Sequence, residues 1–293
     1  MSSLHPHALA APRGLSDTQL KLIALFLMVL DHIHYFFGFT GLVPDAFSML
    51  GRLSAPLFLF CTVEGFAHTY DRRRYFKRIW VISAGMGLIL FLMMYARIGV
   101  RPDGFYPMNA IFMNFVILIP VWQGIDWLCQ RRIGRGLAAV LLPLAWPLLF
   151  VVLYQLSQAG PAAWATDSLL ALLVYTVLPA WSFISDGGIF FILTGIGMYL
   201  TREHRALQAA VFAGMTLLFD FVLVAAMLYK GEGFSLPLMF TDYYEWFGVF
   251  AVLPMLMYNG SRGRGFKRLF YCFYPAHIYI LYALSWAACL ALT

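Results

Sequence analysis

The chain has 293 residues, 62% of them hydrophobic and only 12% charged, where a soluble domain carries about 25% charged side chains. With a mean hydropathy of +0.77, this excludes a soluble enzyme and describes an integral membrane protein, a single domain over residues 1–293. The net charge of +6 sits in short loops without interleaved stacking aromatics. It reads as a topology signal and not as a nucleic-acid surface.

Residues 1–16 are polar and lack the apolar stretch of a cleavable signal, so they are expected to stay as a cytoplasmic N-terminus. Ser16-Asp17-Thr18-Gln19 has capping-box spacing and predicts a helix start ahead of the run Leu20–Phe39. A second run covers Leu53–His68. Arg72, Arg73, Arg74, Lys77 and Arg78 follow within seven positions, the strongest cytoplasmic loop by charge. Further runs cover Ile79–Tyr95, Met108–Leu128 (ending at Arg131 and Arg132) and Gly136–Leu156, the last with Pro143 and Pro147.

Ser168–Phe183 and Ile189–Leu200 are separated by Ser185-Asp186-Gly187-Gly188. If both pieces spanned, Arg202 and Arg205 would fall outside, against the charge rule, so an interrupted or re-entrant element near 168–200 is preferred. Ala206–Tyr229, Trp246–Tyr258 and Leu269–Leu292 complete the chain. The expected fold is an all-α, polytopic transmembrane helical bundle of nine or ten helices among membrane lipids.

The polar insertions stand out against these runs. Asp31 and His32 lie about 18 Å into the first helix, at the depth of the hydrocarbon layer, where ionisable groups are costly and usually serve a function. Asp31 shares a face with His34 and Tyr35 and could orient either histidine. Arg52 opens the second run, Glu64 and His68 share a face near its cytoplasmic end, and His277 lies about nine residues into the last helix. Asn109 and Asp186 are further candidates. Imidazoles, a carboxylate and a guanidinium suit proton transfer with anion stabilisation. The four cysteines, Cys61, Cys129, Cys272 and Cys289, lack CxxC spacing, and no metal or disulfide framework is expected.

Leu20-Lys21-Leu22-Ile23-Ala24 leading to Met28-Val29-Leu30-Asp31-His32-Ile33, and Gly51-Arg52-Leu53-Ser54-Ala55-Pro56-Leu57-Phe58 continuing through Val63-Glu64-Gly65-Phe66 to Arg78, resemble the TraX family. Phe273-Tyr274-Pro275-Ala276-His277 resembles a later block more loosely. That family is associated with N-terminal acetylation of pilin in conjugation systems and is distantly similar to membrane acyltransferases. The resemblance implies an acetyltransferase of the bacterial inner membrane that takes acetyl-CoA from the cytoplasm. His32 would be the general base, aided by Asp31. Arg52 would hold the oxyanion or a cofactor phosphate, and His277 would either support the catalytic groups from behind or stand beside the acceptor. Glu64, His68, Arg74, Lys77 and Arg78 would line the cofactor entrance. The acceptor would be a pilin N-terminus or another cell-surface group.

Two other classes compete. A proton-coupled transporter would use Asp31, His32 and Glu64 as a relay, although no internal repeat is visible. A non-catalytic assembly subunit would tolerate replacement of its buried polar residues.

Overall fold

A computed structural model describes residues 14–108, 110–158, 163–184, 186–231 and 233–292. Asn109 therefore lies outside the described residues, as does most of the polar N-terminus. The described chain is helical throughout, and it carries seven helices long and apolar enough to cross a membrane. Three shorter apolar helices accompany them, Asp167–Thr176, Gly188–Leu200 and Tyr244–Leu256. The fold is an all-α polytopic bundle of a multi-pass membrane protein.

Helix α1 (Asp17–Phe37) begins with the expected capping box, in which Ser16 and Gln19 satisfy each other's backbone donors. The second run is longer than its apolar letters suggested. Helix α2 (Ala46–Gly51) leads through a break at Arg52–Leu53 into α3 (Ser54–Ala67). The basic stretch is not a loop. Asp71 caps α4 (Arg72–Tyr95) through the Arg74 amide, so the cluster forms that helix's first two turns. Helices α5 (Ile111–Cys129) and α6 (Ile133–Gln158) follow, and α6 runs through Pro143 and Pro147 without ending.

Contacts sort the helix ends into two sides. At the basic end, Asp126 in the last turn of α5 accepts from Arg72 at 2.5 Å and from Tyr199 at 2.9 Å. Arg202 lies 3.3 Å from the other oxygen of that carboxylate. At the opposite end, the amide of Met108 donates to the hydroxyl of Tyr35.

These marks settle the segment around residue 180. Helix α7 (Ala163–Thr176) starts from the opposite end, where the long α6 delivers the chain. It reaches a depth where the Trp80 indole donates to the carbonyl of Val177 at 3.1 Å. Then the chain turns back, and Asp186 accepts from the Ala110 amide at the head of α5 at 2.7 Å. Helix α8 (Gly188–Leu200) crosses to the basic end, which Arg202 and Arg205 share with Arg72. The element is re-entrant, as the charge rule required. Its close seat depends on Gly87 of α4, where a Cβ would lie 1.6 Å from the carbonyl oxygen of Tyr175.

Helices α9 (Arg205–Thr216) and α10 (Leu223–Lys230) form one span joined by π-helical turns at Leu217–Val222. The following loop contains the short helix α11 (Leu238–Thr241). The chain returns through a 3-10 stretch (Tyr244–Ala251) and α12 (Val252–Leu256), and α13 (Lys267–Leu292) closes the bundle. Outward residues such as Leu142, Leu148 and Leu253 are exposed, as a lipid-facing surface demands. The core gathers around Trp122, stacked on Tyr199 and donating to the Gly195 carbonyl at 3.1 Å.

Candidate active site

A cavity of about 1190 Å³ runs through the bundle beside α1. Asp17, Lys21, Leu25, Met28, His32 and Tyr35 line it at intervals of three and four, which is one face of the helix. From Asp17 to Tyr35 that stripe covers about 27 Å at the rise of an α-helix, most of the thickness of a bilayer core. The cavity therefore joins the basic end to the opposite end. Its lining includes Arg74, Arg78 and Arg262 at one extreme and Asp31, Arg52, Asp186 and Glu245 towards the other.

His32 is the half-buried centre of this path. Its Nδ1 lies 2.8 Å from the carbonyl oxygen of Met28, one turn back. A carbonyl only accepts, so Nδ1 carries the proton and the neutral ring keeps its lone pair on Nε2. The same arrangement fixes His277 of α13, whose Nδ1 donates to the Phe273 carbonyl at 2.9 Å. The free Nε2 of His277 then faces the Nδ1–H of His32 at 3.3 Å, with the two rings nearly perpendicular. Phe36 and Tyr274 pack around His32. Two helices far apart in sequence so build one imidazole pair, in which the single Nδ1–H of the first ring is shared between the Met28 carbonyl and the Nε2 of the second.

Asp31 orients neither histidine, contrary to both readings left open by its spacing. It accepts from the hydroxyl of Ser48 at 3.2 Å and lies 3.9 Å from Arg52, while His34 meets Asp45 at 3.0 Å away from the cavity. The reason is the break after α2. It lets the chain pass so close to α1 that a Cβ on Gly51 would sit 2.3 Å from that of Asp31. Arg52, next in the chain, is thereby aimed at both Asp31 and Glu245, the latter at 3.8 Å, and it donates to Ser48 at 3.0 Å. Its buried Nε has no hydrogen-bond partner among the described residues.

The remaining expected residues divide. Arg74, Arg78, His68 and Glu64 all line the cavity, but Lys77 is exposed and stands off it, because its position on α4 faces outward. Glu64 and His68 are not partners through their side chains. His68 donates to the backbone carbonyl of Glu64 at 2.9 Å, and the Glu64 carboxylate meets Arg205 at 3.1 Å. His277 touches His32 from behind and is not itself a lining residue. Asp186 lines the cavity while capping the start of α5.

Asp220, Glu245 and Arg262 also line the cavity and were not singled out from the sequence. Asp220 carried a usable signal, since it interrupts an apolar run as Asp31 does. It sits in the π-helical turns, a distortion that often accompanies functional sites. Glu245 and Arg262 lie beside loop segments, where charge is ordinary and attracts no notice.

Comparison with known proteins agrees with the first-helix motifs. The family model described as TraX protein matches residues 16–159. Across 281 residues the chain is 25% identical to a probable fimbrial assembly protein FimC, serogroup H1, of Dichelobacter nodosus, covering 91% of this chain and 94% of that one. No solved structure matches. Residues 16–159, which hold α1 to α6 and with them His32 and Arg52, carry the sequence of the TraX family, the family that the first two apolar runs resemble.

Proposed function

We propose that the protein is a membrane-embedded acetyltransferase of the bacterial inner membrane, with its N-terminus in the cytoplasm. It moves an acetyl group from cytoplasmic acetyl-CoA to an amine, most simply a pilin N-terminus. The observation that carries this reading is one continuous cavity lined at one end by arginines that have no carboxylate partner among the described residues, and further in by His32 and Arg52. The family match and the relative named for fimbrial assembly support the pilin side of it.

In this reading Arg74 and Arg78 hold the phosphates of the donor, and the thioester lies near His32. The acceptor amine attacks the thioester carbonyl while His32 Nε2 removes its proton. Arg52 stabilises the oxyanion of the tetrahedral intermediate. When the intermediate collapses, the C–S bond breaks and His32 returns the proton to the departing thiolate. His277 steadies the charged ring by accepting from its Nδ1–H, the place that a carboxylate takes in a serine-hydrolase triad. Asp31, Asp186, Asp220 and Glu245 outnumber Arg52 in the far half of the cavity, which suits an acceptor arriving as an ammonium ion; one of these carboxylates takes its first proton and passes it to solvent, freeing the lone pair that attacks.

The test is thiol release from acetyl-CoA by purified protein in nanodiscs, with peptides bearing a free or a blocked N-terminus. Acetylation of the free-amine peptide, lost in His32→Ala, is expected. Equal activity in His32→Ala would sink the mechanism.

A further inference from the structure

The arginines at the basic end fall into two groups. Arg72 and Arg202 are paired with Asp126, and Arg205 with Glu64. Arg74, Arg78 and Arg262 line the cavity, and among the described residues none has a carboxylate within 4.0 Å. Among the described carboxylates lining this end, Asp17 and Glu64 are taken by Lys21 and Arg205, and Asp71 accepts from the Arg74 amide, so positive charge stays in excess where the cavity opens. Guanidinium groups grouped in this way match phosphate oxygens.

Arg262 comes from a different part of the chain, and its position is built. The backbone of residues 14–18 runs alongside that of 257–262. The Leu15 amide donates to the Met257 carbonyl at 2.8 Å, the Asn259 amide to the Leu15 carbonyl at 2.9 Å, and the Asp17 amide to the Ser261 carbonyl at 2.9 Å. The buried Thr18 hydroxyl then lies 2.9 Å from the carbonyl oxygen of Arg262 and 2.6 Å from that of Arg264. The segment that carries Arg262 is therefore clasped to the first turn of α1, whose Asp17, Thr18 and Lys21 line the same opening. Lys21 is held by Asp17 at 2.6 Å, so among the described residues the cation that this wall leaves without a carboxylate at the cavity is Arg262.

We infer that the cavity opening is a phosphate-binding site of three walls, in which Arg262 joins Arg74 and Arg78 and Thr18 is its positioning residue. The ligand chemistry is a phosphate ester or pyrophosphate. It belongs either to a CoA-type carrier or to an anionic lipid headgroup, and the observations favour the carrier because the cavity continues inward to His32. This rests on the acyl-CoA reading above and adds a residue and a positioning contact to it.

The experiment measures binding of CoA and of inorganic pyrophosphate to the full chain in nanodiscs of zwitterionic lipid, and again with a third of the lipid anionic. The variants are Arg262→Gln, Thr18→Val and Thr18→Ser. CoA affinity falls about tenfold in Arg262→Gln, the loss expected for one charge-assisted contact. It falls by a smaller factor in Thr18→Val and recovers in Thr18→Ser, with the melting temperature of Arg262→Gln unchanged. Acetyl transfer by the Arg262→Gln protein shows a raised KM and an unaltered kcat. Wild-type binding of CoA that Arg262→Gln leaves within twofold overturns the inference while the acetyltransferase reading stands. Absence of CoA binding in wild type overturns both. Loss of CoA binding in anionic nanodiscs, relieved by Arg262→Gln, assigns the site to lipid headgroups and overturns the carrier assignment.

Discussion

The Nε2 atom of His277 lies 3.3 Å from Nδ1 of His32, although 245 residues separate them in the chain. Because both Nδ1 atoms point at backbone carbonyls, the order of the pair is set: His32 donates, His277 accepts, and the reactive lone pair is left on His32. On the acetyl-transfer reading, replacing the first ring removes the base, and replacing the second removes only its support. In the acetyl-transfer assay, His32→Ala is expected to lower kcat by about 10³-fold, and His277→Ala by about 10- to 100-fold with KM little changed. Equal losses in the two variants would contradict this division of roles.

Gly51 and Asp31 make a second sharp test. A methyl group at position 51 would lie 2.3 Å from the Asp31 Cβ and 2.6 Å from its Oδ1, so α1 and α2 would have to part. Gly51→Ala is expected to lose about 1–3 kcal/mol of stability. It also moves the Arg52 head away from Asp31, so activity falls further than stability alone explains. Thermal unfolding and kcat measured on the same preparation separate the two effects.

Asp126 serves the fold and lies off the cavity. Arg72, Arg202 and Tyr199 all meet it, tying α4, α5 and the end of α8 together. Removing its charge leaves Arg72 half-buried without a counter-ion and Arg202 with only the exposed Glu203 at 3.4 Å. Asp126→Asn is expected to cost on the order of 3 kcal/mol. The KM for acetyl-CoA at a permissive temperature stays at the wild-type value, which distinguishes this carboxylate from the groups on the cavity.

The path of the chain around α7 can be checked from both sides of the membrane. In a background lacking the four native cysteines, Arg73→Cys and Glu203→Cys are expected to react with a membrane-impermeant thiol reagent from the same side. Asp242→Cys is expected to react from the other. Labelling of positions 73 and 203 from opposite sides would require α7 to span fully.

The loop before α5 offers a pH test outside the spans. Arg101 is buried and grips Asp103 through two hydrogen bonds, at 2.6 and 2.8 Å, and this holds the Asp103 carboxyl below its ordinary value of 3.8. A carboxyl depressed in the folded state contributes fully above that ordinary value, and its contribution is lost as pH falls through the depressed one. Hydrogen exchange at the Phe105 amide, which donates to Asp103 at 3.1 Å, is expected to lose protection in acid relative to its neighbours. Asp103→Asn removes that acid step.

Much of the scaffold was legible before any coordinates. The Ser16–Gln19 spacing marked the start of α1, and the charges at Arg202 and Arg205 were enough to require a re-entrant element, because topology follows basic residues. The partners of the polar groups were not legible. Helical spacing tells which side chains share a face, yet it does not say which helix lies opposite. Asp31 was therefore left open between two neighbouring histidines when its partners came from the break after α2, and the face that Glu64 shares with His68 gave no sign that its counter-ion is Arg205. Lys77 was grouped with Arg74 and Arg78 because charge density along the chain hides direction around the helix axis.

The distance in sequence between the two imidazoles has a further effect on when the protein works. One ring is inserted with the opening span and the other with the closing span, so a chain halted before residue 277 holds the His32 imidazole without the ring that accepts from it. On the acetyl-transfer reading, synthesis thus withholds the supported form of the base until the last span is in place, and a truncated or still-emerging copy is expected to turn over its donor about 10- to 100-fold more slowly.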